Sequence, residues 1–285
     1  MLQGAIVLEG GGMRSLYAAG ILDVLLENNI EFSHVYGSSA GALVATNYIG
    51  KHIGRSARIN ILHSNDYKYY SIRQYIKSRG SIFNFDYMFH SPVNDLYPFD
   101  TGLLKNTKQN FIVTATNCKT GKPVYFQKND YDEIAKALTA SSSLPLLSKI
   151  VEIDGYECID GGVSMPVAIH KSIEDGHKKH VVVLTRNLEY RKKDTSALMK
   201  FVFKRCYKKY PELIKKLIDV PKNYNKLAEE IAELEKQGKI FVIRPTKPLG
   251  VGRAEKDARK LFTAYLAGRD DMRSSIEKML EYMKE

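Results

Sequence analysis

Phe32-Ser33-His34-Val35-Tyr36-Gly37-Ser38-Ser39-Ala40-Gly41-Ala42-Leu43-Val44-Ala45-Thr46-Asn47-Tyr48-Ile49 is the stretch on which the fold turns. At its centre, Gly37 to Gly41 form a G-x-S-x-G pentapeptide. Phe32 to Tyr36 reads as a short strand entering a turn, and the mainly small or apolar residues from Ala42 to Ile49 read as a helix. A serine at a sharp strand-to-helix turn presents its hydroxyl at the top of a sheet, and flanking glycines remove Cβ atoms that would clash there. The N–H groups opening the helix point at that hydroxyl, where an anionic intermediate can be held. Ser39 is therefore the candidate nucleophile, with Gly37, Ser38, Ala40 and Gly41 as its elbow.

Upstream, Leu2 to Glu9 is an apolar run ended by three glycines, the pattern of a buried parallel strand. Leu16 to Leu26 follows as a helix, with Leu16, Ala19, Ile21, Leu22 and Leu25 on one side. Strand, helix, strand and helix within the first fifty residues indicate an α/β sheet with parallel strands and reactive groups at their carboxyl ends.

Downstream, Phe111 to Thr116 and Val124 to Phe126 read as a hairpin about Cys118 to Pro123, and Tyr131 to Ala140 as a helix. Val151 to Ile153 and Tyr156 to Ile159 form a second hairpin through an Asp154-Gly155 turn, which delivers Asp160-Gly161-Gly162. His180 to Thr185 is a further buried strand. Basic helices, a strand over 240–243 and a last helical pair from Ala254 to Lys284 complete the chain. Residues 1–185 are expected to form the core, and 186–285 a helical extension returning its strand to the same domain.

Two segments carry open readings. Between 63 and 100, Tyr67, Tyr69, Tyr70, Tyr75, Phe83, Phe85, Tyr87, Phe89, Tyr97 and Phe99 interleave with polar residues. This insertion is either aromatic loop packing or a lid and acyl-chain pocket. Between Arg186 and Lys226, thirteen Lys/Arg stand against four Asp/Glu, within a chain of net charge +11. Such a stretch suits anionic lipid headgroups, nucleic acid phosphates or a solvated helical face. No recognised nucleic-acid motif accompanies it, so no nucleic acid partner is expected.

Composition bounds the remaining classes. No apolar run approaches the roughly 18–20 residues of a spanning helix. Met1-Leu2-Gln3-Gly4 lacks the basic region of a signal peptide. Three widely spaced cysteines, Cys118, Cys158 and Cys206, indicate neither a disulfide framework nor a zinc site. A cytoplasmic location, no metal and no cofactor are the expectations.

Gly10-Gly11-Gly12-Met13-Arg14 ends the first strand and opens a helix. A dinucleotide fold places G-x-G-x-x-G here and an acid at the end of the second strand; this chain has Ser15 and Tyr36-Gly37 instead. The turn reads better as a source of backbone N–H donors to the oxyanion of a tetrahedral intermediate, or as a structural glycine loop. Arg14 adds positive charge or locks the turn. A serine nucleophile also needs a base. After Asp160, His177 and His180 fall at the wrong end of a parallel sheet and His170 in a helix leading away, so all three read as surface residues. Asp160 ends a strand, and the two glycines after it allow a turn that exposes its carboxylate as a proton acceptor.

Taken together, the Gly10–Arg14 turn, the Gly37–Gly41 elbow and Asp160-Gly161-Gly162 resemble, in order and spacing, the three motifs of the patatin-like phospholipases. Ala140-Ser141-Ser142-Ser143-Leu144-Pro145 is similar to the segment preceding the Asp motif in that family. Arg244-Pro245 and Pro248 to Arg253, followed by a Tyr265/Gly268 helix end, resemble the tail of its bacterial branch. The resemblance implies a three-layer α/β/α sandwich with a mostly parallel sheet and C-terminal helices. It implies a Ser39–Asp160 dyad hydrolysing lipid acyl esters, with Gly10, Gly11, Gly12, Met13 and Arg14 as the oxyanion hole. Ser15 departs from the family's frequent glycine, which predicts an altered helix start with the hole retained. A soluble-ester esterase or thioesterase and a non-catalytic lipid- or nucleic-acid-binding module are the competing expectations.

Overall fold

Alternation of buried side chains along the first strand explains why the molecule has two helical layers. In the computed structural model, which describes residues 1–66, 81, 84, 89, 96–127 and 130–284, β1 spans Leu2–Leu8. Ile6 and Leu8 enter one apolar cluster and Ala5 and Val7 another, because successive residues of a strand face opposite sides of a sheet. A strand buried on both faces requires helices on both.

The other strands are β2 (Phe32–Ser38), β3 (Asn110–Asn117), β4 (Pro123–Gln127), β5 (Val151–Ile153), β6 (Tyr156–Asp160), β7 (His180–Val183) and β8 (Phe241–Ile243). Their hydrogen-bonded order is β5-β6-β3-β2-β1-β7-β8, with β4 also on β3. The run β3-β2-β1-β7-β8 is parallel throughout, whereas β4, β5 and β6 pair antiparallel.

One face of the sheet is covered by α1 (Leu16–Glu27), α2 (Ala40–Ile49), α3 (Arg55–Leu62), α5 (Tyr131–Ser141) and α9 (Ala258–Lys284), which share one core cluster. The short α4 (Thr101–Lys105) precedes β3. The other face is covered by α6 (Ile169–Glu174) and α8 (Pro211–Lys236), through Ile169, Leu227 and Ile231. The helix α7 (Ala197–Cys206) packs with the start of α8 against the end of β6, joining Phe203, Leu213 and Leu217 to Ile159 and Val163. The architecture is a three-layer α/β/α sandwich on a mixed sheet with a parallel centre.

The C-terminal segment differs from its sequence reading. The expected helical pair is a single helix, α9, beginning at Ala258 rather than Ala254. Gly268 lies inside it and not at an end. It marks a crossing of α9 over α1: a Cβ on Gly268 would lie 1.9 Å from the Tyr17 carbonyl oxygen, and one on Gly20 would lie 2.2 Å from that of Tyr265. Two tyrosine–carboxylate bonds fasten the crossing, Tyr17 Oη to Asp271 at 2.6 Å and Tyr265 Oη to Asp23 at 2.7 Å. Glycine here serves contact between backbones, at a helix-propensity cost of about 1 kcal/mol each.

Of the aromatic residues in the 63–100 insertion, Tyr67, Tyr69, Tyr70, Tyr75, Phe83, Phe85 and Tyr87 lie outside the described residues. Among the described residues, no helix is long and apolar enough to cross a membrane.

Candidate active site

Strand register brings Ser39 and Asp160 together. β4 occupies one edge of β3 from Ile112 to Thr116. A strand has only two edges, so β2 and β6 share the other. β2 runs up that edge to the Ser38–Thr114 pair. β6 runs down it from Asn117–Cys158 to Ala115–Asp160. The two strands therefore meet nearly end to end, and the residues leaving them face each other. Ser39 Oγ donates to Asp160 Oδ2 at 2.6 Å. The other carboxylate oxygen accepts from the Gly162 N–H at 2.7 Å.

Ser39 holds φ 53° and ψ −131°, a conformation that costs a non-glycine residue of order 1–3 kcal/mol. Its surroundings enforce it. The Ser39 N–H donates to Ser141 Oγ at 2.8 Å, and that hydroxyl donates to the Thr114 carbonyl at 2.6 Å. Asp160 is fixed by its own N–H to the Ser143 carbonyl at 2.9 Å and by Thr116 Oγ1 donating to its carbonyl at 2.8 Å. Beneath the elbow, a Cβ on Gly41 would come within 2.6 Å of the Glu9 carbonyl oxygen.

The glycine-rich turn lies alongside. The Gly10 N–H is donated to the Pro166 carbonyl and the Met13 N–H to the Arg253 carbonyl, at 3.1 and 3.0 Å. Among the described residues, the Gly11 and Gly12 N–H groups have no acceptor, so these two donors of the turn are open to a ligand. Ser15 replaces glycine without strain, at φ −66°, and its hydroxyl donates back to the Gly12 carbonyl. It ends a short 3-10 turn from which α1 starts at Leu16.

Charge around Ser39 and Asp160 is mainly positive. Asp160 is buried, and burial pushes its pKa above the usual carboxylate range, against the opposing pull of Ser39, the Gly162 N–H, Arg253 and Lys192. Burial lowers Arg14 to about 10, aided by Arg186 and Arg253 and opposed by Glu9. Burial likewise lowers Lys192 to about 8, with Arg253 and Arg14 adding to the shift and Glu9 and Asp160 opposing it. Glu9, 2% exposed, accepts from Thr185 N–H at 2.5 Å, Thr185 Oγ1 at 2.9 Å and Tyr224 Oη at 2.9 Å.

Ser39, Asp160, the Gly10–Arg14 turn, Glu9, Lys192 and Arg253 border one cavity of about 890 Å³. An apolar wall comes from α2, α3 and α5, with Leu43, Val44, Ile59, Ile134 and Leu138, joined by Phe89 and Phe99 of the insertion. The same cavity is also lined by Arg14, Arg186, Tyr190, Lys192, Tyr224 and Arg253.

Among the described residues, no histidine lines this cavity. His170 pairs with Glu230 at 3.2 Å, and His177 bonds Tyr36 Oη at 2.8 Å. His180, expected at the surface, is buried at 4% exposure and bonded to Ser172 Oγ at 2.8 Å. A strand start covered by α6 and α9 is interior. Among the described residues, no cluster of three or more His, Cys, Asp or Glu is placed to hold a metal.

Comparison with known proteins matches residues 6–171 to the patatin-like phospholipase family and residues 210–284 to a domain of unknown function, DUF6363. The chain is 24% identical over 185 residues to the uncharacterized protein YjjU of Escherichia coli (strain K12), covering 64% of this chain and 51% of that one. It thus spans about half the length of that curated relative. The crystal structure of VipD from Legionella pneumophila aligns over 96% of this chain and 67% of its own at 14% identity, with a TM-score of 0.42. With the family match spanning more than half of the chain and all three motifs, the chain belongs to the patatin-like phospholipases, a family of lipid acyl hydrolases.

Proposed function

We propose that this protein is a serine acyl-ester hydrolase acting on lipids, a phospholipase A or lipid acyl hydrolase working through a Ser39–Asp160 dyad. The 2.6 Å bond from Ser39 Oγ to Asp160 carries the reading. Ser39 Oγ attacks the ester carbonyl carbon as its proton passes to Asp160, and the carbonyl oxygen becomes an oxyanion. The open N–H groups of Gly11 and Gly12 stabilise that charge in a site shielded from water. Collapse of the intermediate expels the alcohol, which takes the proton from Asp160. Water, deprotonated by Asp160, then attacks the acyl-enzyme, releasing a fatty acid and restoring Ser39. The apolar wall from Leu43 to Leu138, with Phe89 and Phe99, takes the acyl chain.

We place the activity in the cytoplasm at a membrane surface, docked through α7. Leu198 and Phe201 project from it at 71% and 64% exposure among Lys200, Lys204 and Arg205. Met199 and Phe203 of the same helix line the cavity, so docking there brings lipid to its mouth. Burying a Phe side chain contributes about 1.5–3 kcal/mol. Phe201→Glu is expected to lower binding to anionic vesicles at least tenfold in a flotation assay, and unchanged flotation removes α7 as the contact.

The activity itself is tested with Ser39→Ala on short- and long-chain p-nitrophenyl esters. Turnover is expected to fall to background on both, and retained turnover removes Ser39 as nucleophile. A wild-type protein that hydrolyses no ester yet binds vesicles is instead a binding module. Turnover favouring short soluble esters and indifferent to vesicles marks a soluble-substrate esterase.

A further inference from the structure

The apolar wall of the cavity changes character at its far end. Ala40, Leu43, Val44 and Asn47 of α2 line the cavity at helical spacing. One face of that helix therefore runs from Ser39 along the pocket and turns polar at Asn47. There it meets Arg55 and Ser56, which open α3, line the same cavity and are 7% and 5% exposed. The proposed ester chemistry gives this buried guanidinium and its neighbours no role.

These groups are locked together. Arg55 donates from Nη1 to Asn47 Oδ1 and from Nε to the Tyr97 carbonyl, both at 2.9 Å. Asn47 Nδ2 donates to Ser56 Oγ at 2.8 Å. Arg55 Cζ stands 5.2 Å from the centre of the Phe99 ring, and that ring packs at 5.3 Å on Tyr131. Tyr131 opens α5, and α5 ends at Ser141, whose hydroxyl takes the Ser39 N–H. Both helices thus lead from the reacting centre to the same far end, which contacts close from Asn47 through Arg55 and Phe99 to Tyr131.

The two helices also set the depth of the pocket. At 1.5 Å of rise per residue, the run from Ser39 to Asn47 gives about 12 Å and that from Tyr131 to Ser141 about 15 Å. An extended chain advances about 1.2 Å per bond, a third of the span of a peptide residue, so about ten to twelve carbons fill the pocket.

We propose that the Asn47–Arg55–Ser56 network is the end stop of the acyl pocket and restricts the enzyme to acyl groups of medium length. The inference rests on the proposed hydrolase activity and gives it a substrate class. A longer chain would have to part hydrogen bonds in a buried site and leave their polar groups facing a methyl end. A shorter chain leaves apolar wall unfilled and forfeits its burial. Binding and turnover therefore peak at one length.

The test reads chain length in turnover and in binding. The turnover arm measures kcat/KM for p-nitrophenyl esters from butyryl to palmitoyl in mixed micelles of fixed composition. It is expected to peak at decanoyl or dodecanoyl and to be at least tenfold lower for palmitoyl. Asn47→Ala, which opens the stop, is expected to raise the palmitoyl-to-decanoyl ratio at least tenfold. Val44→Phe, one turn nearer Ser39, is expected to move the optimum to hexanoyl. It leaves the network intact and carries the test if the alanine variant does not fold. Wild-type turnover that still rises from dodecanoyl to palmitoyl, or variants that lower all chain lengths equally, overturns the stop. In the binding arm, Ser39→Ala protein is titrated calorimetrically with the free fatty acids below their micellar concentrations, with and without Asn47→Ala. Affinity that climbs steadily to palmitate without the second substitution also overturns it. A peak at medium length that Asn47→Ala abolishes, in a protein that hydrolyses no ester, upholds the stop and defeats the hydrolase reading alone.

Discussion

Asp160→Asn is expected to lower kcat on p-nitrophenyl esters by about 10²–10⁴-fold, the range for losing a positioned general base. The reason lies in bond polarity. The Gly162 N–H already claims one carboxylate oxygen at 2.7 Å. An asparagine keeping that bond turns its NH₂ toward Ser39 and donates where a base must accept. The same substitution is expected to raise Tm at neutral pH. Burial raises the folded-state pKa of Asp160 above its unfolded value. Between those two values the unfolded chain releases a proton that the folded chain retains, so this carboxyl's contribution to stability is lost as pH rises through the window. A neutral amide removes that loss. The proposed mechanism, by contrast, needs the ionised carboxylate, so the acid limb of the wild-type kcat/KM profile is expected above the usual carboxylate range. A variant that keeps wild-type turnover, or a wild-type profile flat down to pH 4, contradicts the assignment of Asp160.

Gly161→Ala is expected to destabilise the fold by about 3 kcal/mol, at the upper end for forcing an added group into a packed site. A Cβ at this position would lie 2.1 Å from the Thr114 carbonyl oxygen and 2.7 Å from Ser38 Oγ. Thr114 belongs to β3 at the junction where β2 and β6 both end, so relieving the clash moves the ends of both strands. Turnover is expected to fall with stability, because Ser39 and Asp160 leave those two ends. Urea unfolding measures the first effect. A change below 0.5 kcal/mol would show that the junction has slack and that strand register does not fix the dyad.

The parallel half of the sheet was legible because each strand there is a short apolar run with a turn signal at its end. The boundaries from Leu2 to Ile49 shifted by at most two residues. The Asp154-Gly155 hairpin was equally plain, since both residues take the positive φ, 49° and 77°, that the pair favours. Gly268 misled for a physical reason: glycine ends helices through positive φ and also admits close backbone packing, and sequence does not distinguish the two.

At the site, Ser39 and Asp160 stood out because each needs glycines beside it. Ser141, Ser143 and Thr116, which position them, carry no such mark and entered only with a family segment or not at all. Lys192 and Arg186 were hidden within a basic run that reads as surface. Their place on the cavity wall depends on the rings of Tyr190 and of Tyr224 of α8, contacts set by tertiary packing. His180 was misplaced because the packing of α6 and α9 over the start of β7 is likewise invisible along the chain.

The central claim, that Ser39 is an activated nucleophile, is tested most directly by covalent labelling with a fluorophosphonate and peptide mass spectrometry. The expected result is one stoichiometric adduct on the peptide containing Ser39, lost in Ser39→Ala and slowed at least a hundredfold in Asp160→Asn. An adduct on any other residue, or none on a folded protein that still hydrolyses esters, would contradict it.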